Sequence, residues 1–192
     1  GIIWWLYDPD TENRYIIDLH RKRLNPEDFL SLDLDNLNTP DHDPWSGLMH
    51  TMYWQSQDMG IPITDIIVET NAAQKWLLNQ PHIQRWMSTT GQRFLPHTTH
   101  RNKNDPKYGL ESIGDLFRQG RIRIPWGDLP SRNVMQYLID EATRYPDYDT
   151  TDLIMSTWFG KLAVENHYTP RRPNSYRQQR PSWMTGARRG IA

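Results

Sequence analysis

Ile63-Thr-Asp-Ile-Ile-Val-Glu-Thr-Asn71 is the stretch on which the fold turns. Its nearly continuous apolar run over 63–68 predicts a strand buried on both faces, as strands of parallel sheets are. A helical pattern follows at once over 71–78, with Ala72, Lys75, Trp76 and Asn79 at helical spacing. Strand followed by helix is the unit of an α/β fold. Glu69 closes the apolar run, and the carboxyl ends of strands are where α/β sheets build their sites. A charge there is costly unless it is paired or points to water. Position alone allows either a structural or a chemical role for Glu69.

Toward the N-terminus, residues 2–7 form an apolar and aromatic strand, Asp8-Pro9-Asp10 a turn and residues 14–19 a second strand, which predicts a hairpin. Residues 31–43 are rich in Asp, Asn and Pro and read as loop. Residues 44–59 read as a helix with Leu48, Met52 and Gln55 or Ser56 along one side, stopped by Gly60. Toward the C-terminus, helical turns are expected over 83–87, a strand over 94–98, and a helix over 108–118 ending at Gly120. A strand over 121–124 stops at Pro125. A helix over 131–144 aligns Val134, Leu138 and Ala142. A last helix over 149–166 turns Ile154, Trp158 and Leu162 inward. The sum is α/β, without internal repeats.

The 192 residues contain no cysteine, which excludes a disulfide scaffold, a thiolate zinc site and a cysteine nucleophile. Mean hydropathy is −0.82, and no run approaches the roughly 18 apolar residues of a membrane span. Nine Trp and nine Tyr argue against wholesale disorder. The net charge of −1 hides an asymmetry. Residues 167–192 carry six arginines (Arg171, Arg172, Arg177, Arg180, Arg188 and Arg189) and no acid, which leaves 16 bases against 23 acids upstream. This segment reads as a flexible basic tail, suited to nucleic-acid phosphate, to an acidic protein or simply to solubility. The apolar run at Gly1 has no charged segment before it, so it is not read as a signal peptide, and a fragment of a longer protein is expected.

Asp152 falls in the first turn of the last helix, where it suits the helix dipole, with Asp149 or Thr150 as N-cap. Carboxylates that converge at strand ends repel unless a divalent cation binds between them. Hard oxygen ligands suit Mg²⁺ or Mn²⁺, and two such ions about 4 Å apart serve in-line phosphoryl transfer. Lys103, in the polar stretch His100-Arg-Asn-Lys-Asn-Asp-Pro, suits a phosphate or a nucleophilic water. His97 and His100 lie three apart without an evident third ligand, which does not make a zinc site. There is no Walker phosphate loop and no G-x-S-x-G elbow.

Four segments in order resemble the nuclease domain of tailed-phage terminase large subunits. They are Gly-Ile-Ile-Trp-Trp-Leu-Tyr-Asp-Pro-Asp10 with Arg14-Tyr-Ile-Ile-Asp18; Ile66-Ile-Val-Glu-Thr-Asn-Ala-Ala-Gln74; Asn102-Lys-Asn-Asp-Pro-Lys-Tyr-Gly-Leu-Glu-Ser-Ile113 with Leu116-Phe-Arg-Gln-Gly-Arg-Ile-Arg-Ile-Pro125; and Tyr145-Pro-Asp-Tyr-Asp-Thr-Thr-Asp-Leu-Ile-Met-Ser-Thr-Trp-Phe159. The resemblance covers most of residues 1–166 and implies an RNase H-like mixed sheet flanked by helices, followed by the basic tail over 167–192. It implies a metal-dependent endonuclease acting on double-stranded DNA. Glu69 and Asp152 become the second and third carboxylates for two Mg²⁺ or Mn²⁺ ions, and Lys103 an active-site lysine. Lys103, Arg171, Arg172, Arg177 and Arg180 become DNA contacts. Thr151 stands where many members have another Asp. The family's first strand, with the first catalytic Asp, is expected just before Gly1; Asp8 and Asp18 do not match it. The expected partners are an ATPase domain, a portal and a small terminase subunit, in a host cytoplasm, with no membrane. The rival expectations are another RNase H-like enzyme (transposase, integrase or resolvase) and a non-catalytic module working through its tail.

Overall fold

The computed structural model describes residues 1–70, 76–99 and 109–167. β1 (Ile2–Asp8) and β2 (Asn13–His20) form the expected antiparallel hairpin, with Ile2 opposite His20 and Asp8 opposite Asn13. Asp8 closes the turn by accepting the Thr11 hydroxyl at 2.5 Å and the Asp10 N–H at 3.0 Å. The Thr11 bond, then the Asp10 bond, hold its carboxyl below the usual range.

After α1 (Pro26–Phe29), β3 (Ser31–Leu32) pairs with β4 (Trp45–Ser46), so the Asp-, Asn- and Pro-rich loop joins two short antiparallel strands. The helix read from residue 44 begins only at Leu48, as α2 (Leu48–Asp58). Gly47 is the reason. It takes φ 97°, and a Cβ there would lie 2.9 Å from the Leu30 backbone. Only glycine allows both the conformation and the approach.

β5 (Ile66–Glu69) runs parallel to β6 (Phe94–His97), with Glu69 in register with His97. Between them lies α3 (Pro81–Thr90), longer than the turns expected over 83–87, with Pro81 in its first turn and left-handed Gly91 at its end. α4 (Glu111–Arg118) precedes β7 (Ile122–Arg123), which joins β2 in parallel. α5 (Leu129–Thr143), capped by Asp128 on the Ser131 N–H at 2.8 Å, leads to α6 (Asp152–His167). The protein is therefore mixed α/β, with helices around small sheets. No helix among the described residues is long and apolar enough to cross a membrane.

β1-β2-β7 and β5-β6 are separate sheets, not hydrogen-bonded to each other, yet they are flanked by the same two apolar layers. Ile3 and Trp5 of β1 and Ile67 of β5 pack on the cluster built around Trp158, Leu138 and Leu153. Trp4 and Ile2 of β1 and Ile66 and Val68 of β5 belong to the cluster around Trp86, Leu30 and Met52. The alternation along each strand sends successive side chains to opposite layers. The two sheets are halves of one layer, and among the described residues β1 and β5 each keep one unpaired edge.

α6 lies on the first of these clusters. Ile154 and Trp158 face inward as expected, and Leu153, Thr157, Phe159, Lys161 and Val164 are buried too. Gly160 sits in mid-helix because a Cβ there would lie 2.7 Å from the Trp5 indole. Gly160→Ala would gain up to about 1 kcal/mol of helix propensity. Overpacking against the rigid ring costs about 1–3 kcal/mol. The net expectation is a lower urea midpoint; an unchanged or raised midpoint would show that the Trp5–Gly160 contact does not constrain the helix.

Candidate active site

Glu69 is the last residue of β5 and is half-buried. It shares the strand face of Ile67, which packs toward α6. The Thr99 hydroxyl donates to its Oε1 at 2.6 Å. The strand ends are tied together where Thr70 donates its N–H and its hydroxyl to the His97 carbonyl at 2.8 and 3.0 Å. The His97 ring stands edge-on to Trp158 at 5.9 Å and tilted over Phe159 at 5.0 Å. Below it a cleft of about 80 Å³ opens between the β5–β6 pair and α6, lined by Ile67, Leu95, His97, Phe159, Leu162 and Asn166 among others.

Asp152 opens α6 with its side chain 65% exposed and its Oδ2 3.9 Å from the Gly1 ammonium. Ser156 donates to the Gly1 carbonyl at 3.0 Å, so the start of β1 rests against the first turn of α6. Glu69 and Asp152 thus stand on touching elements, at different heights. Phe159, which meets the strand partner of Glu69, lies seven residues past Asp152, about 10 Å along the helix axis. Among the described residues no group of three or more His, Asp or Glu side chains is gathered to hold a metal ion. The donors themselves are of the right chemistry for a hard cation: two carboxylates, with the Thr99 hydroxyl beside one of them. Lys103, His100 and Arg171, Arg172, Arg177 and Arg180 lie outside the described residues.

Asp18 accepts the Leu19 N–H at 2.7 Å and lies 3.2 Å from His20 Nε2. Thr151 offers its carbonyl to the Met155 N–H at 2.9 Å.

Sequence reasoning missed Glu141. It is fully buried on α5. Its Oε1 accepts the Ile154 N–H at 2.8 Å and its Oε2 the Thr150 hydroxyl at 3.2 Å. A side chain from another helix, not Asp149 or Thr150, therefore satisfies the first turn of α6, and the negative charge sits at its positive end. The signal was present, since Glu141 falls on the α5 face of Val134 and Leu138 at helical spacing. An acid on an apolar stripe calls for a buried partner. Glu141→Ala leaves the Ile154 N–H buried and unpaired, which costs about 1.5–3 kcal/mol. Chemical denaturation should show this loss, and an unchanged stability would mean that water replaces the carboxylate.

His50 and Asp43 form a further carboxylate–imidazole pair, with the imidazole buried. Trp86 Nε1, a donor only, reaches His50 Nδ1 at 3.1 Å, so Nδ1 accepts and Nε2 carries the proton. Nε2 then donates to Asp43 Oδ2 at 2.7 Å. Trp54 Nε1 lies 2.9 Å from both Asp43 Oδ2 and His50 Nε2, and only the carboxylate can accept. Both imidazole nitrogens are occupied and the ring is buried, so this pair is structural. Burial works against the Asp43 charge, but bonds from His50, the Trp45 N–H and Trp54 outweigh it and hold the carboxyl below 3.8. Such a group stabilises the fold fully above pH 3.8 and loses that contribution as the pH falls. The urea-midpoint gap between the protein and Asp43→Asn should accordingly be widest near neutrality and narrow below pH 4; a gap independent of pH would refute the charge on Asp43.

No family model, no curated protein and no solved structure matches the chain.

Proposed function

We propose that residues 1–166 are an RNase H-like nuclease domain of the terminase type, a metal-dependent endonuclease that cuts double-stranded DNA. One observation carries this reading: the central layer is split between β1 and β5, with the same apolar cluster on each side of both halves. In an RNase H-like sheet the strand bearing the first catalytic acid lies between the hairpin and the strand bearing the second, which is where the split falls. Glu69 ends the first strand beyond the split, and Asp152 opens the helix packed against both halves.

In this reading Glu69 and Asp152 hold Mg²⁺ or Mn²⁺, which supplies an activated water and neutralises charge on the phosphate when bound. Thr99 orients the Glu69 carboxylate through its 2.6 Å hydrogen bond. Glu141 fixes the turn that carries Asp152. Lys103 and the arginines at 171, 172, 177 and 180 contact the DNA backbone. The wider assignment to a packaging motor, with an ATPase domain, a portal and a small subunit in a host cytoplasm, rests on the sequence resemblance alone.

The decisive assay is nicking of supercoiled plasmid by the full 192-residue chain in Mn²⁺ or Mg²⁺. Nicking should occur, should be abolished by EDTA and should be lost in both Asp152→Ala and Glu69→Ala. Nicking that survives Asp152→Ala would falsify the assignment, and a chain that binds DNA without cutting it would be a binding module instead.

A further inference from the structure

Among the described residues Arg118 pairs with Asp115, and Arg121 with Glu12 at 3.8 Å. Two other arginines meet instead on one aromatic ring in the loop that leads to Asp152. Arg21 follows β2, and its guanidinium carbon lies 5.4 Å from the Tyr137 ring centre and 5.5 Å from that of Tyr148. Arg144 follows α5 and lies 5.7 Å from the same Tyr148 ring. Among the described residues neither makes an ion pair, although Asp147 and Asp149 share the loop with Tyr148. Arg21 gives one N–H to Thr150 at 3.4 Å, and among the described residues the Arg144 guanidinium makes no hydrogen bond. Two like charges thus converge on one aromatic ring without a counter-ion.

That arrangement is unfavourable in isolation and becomes favourable once an anion engages the guanidinium donors left open. Stacking on tyrosine restricts each guanidinium plane, so less freedom is lost when its forked donors engage two oxygens. The loop that carries Tyr148 and Thr150 runs directly into Asp152. We propose that Arg21 and Arg144, held on Tyr148 and Tyr137, form a clamp for a backbone phosphate of the DNA strand that passes Asp152. The clamp rests on the nuclease reading for its ligand. It adds two contacts that do not belong to the basic tail, and it gives the strand a fixed point next to the acid. Phosphate contacts of this kind set position and register and do not read sequence.

The test is binding of a short fluorescein-labelled duplex to the full chain by anisotropy, in Ca²⁺, across a salt series. Arg144 is exposed, so Arg144→Ala should fold normally. It should weaken binding roughly tenfold. It should also flatten the plot of log affinity against log salt by about one unit. Arg144→Lys should restore the salt slope, since the charge remains, and only part of the affinity, since the fork is lost. Arg85→Ala, an exposed arginine on α3, should leave both unchanged. An unchanged slope in Arg144→Ala, or an equal loss in Arg85→Ala, would overturn the clamp. The plasmid assay separates the two readings. If nothing is nicked while the slopes change as stated, the clamp stands and the nuclease reading falls. If nicking depends on Asp152 while the slopes do not move, the nuclease reading stands and the clamp falls.

Discussion

Helix α6 has almost no side turned to solvent, and the arrangement of the rest follows from this. Leu153, Ile154, Thr157, Trp158, Phe159 and Val164 are buried around its circumference. β1 presses so closely that Gly160 must lack a side chain. β6 contributes His97 to the aromatic stack with Trp158 and Phe159. Both halves of the sheet are therefore positioned by one helix. In most α/β layers the strands hold one another by backbone hydrogen bonds; here the β1–β5 relation is carried by side-chain packing on α6 and on the Trp86 cluster.

Burying a helix so fully raises the question of its polar ends and its charges. The N-terminus is answered by Glu141, whose own second oxygen is satisfied by Thr150, which in turn accepts from Arg21. In the second half of the helix, Lys161 is only 5% exposed and reaches Glu165 at 2.9 Å. Arg14 on β2 is buried as well. Desolvation lowers its pKa, against the opposing pull of Tyr7, Glu165 and Glu12. Charges inside this layer are thus compensated, Lys161 within α6 and Glu141 by groups of another element, whereas the two candidate acids sit at its margin, Glu69 at a strand end and Asp152 at a helix start.

The hairpin, the apolar strand ending at Glu69 and the last helix were legible because each announces itself through local pattern: alternation about a turn, a β-branched run, and apolar residues at helical spacing; that the last helix is buried nearly all round was not. The late start of α2 was not legible, because it depends on the approach of Leu30 to Gly47 across the fold. The pairing of β3 with β4 escaped for a similar reason, since a two-residue strand carries no period. In the site, position singled out Glu69 and Asp152; the structure sets one at a strand end and the other at a helix start, on elements that touch, without gathering the two carboxylates. Their separation along α6 was not legible, because it depends on where His97 meets Phe159. Glu141 was legible as an acid on an apolar stripe, though not its partner on α6, and Arg21 reaches Tyr148 from a segment far away in sequence. Lys103 and the tail arginines fall outside the described residues, so that part of the reading rests on sequence only.

The edge of β1 that is unpaired among the described residues has a consequence for how the protein behaves at high concentration. Ile2-Ile-Trp-Trp-Leu-Tyr7 is six consecutive residues of high β-propensity with no charge, proline or glycine among them. A window of that composition on a strand with one unpaired edge is the kind of template on which chains zip together edge to edge. Asp8, directly after it, is a gatekeeper: the charge that its turn hydrogen bonds preserve into mild acid ends the run. Colloidal stability of this chain is therefore tied to the occupancy of one strand edge, and whatever covers that edge acts as a solubility factor as well as a structural one.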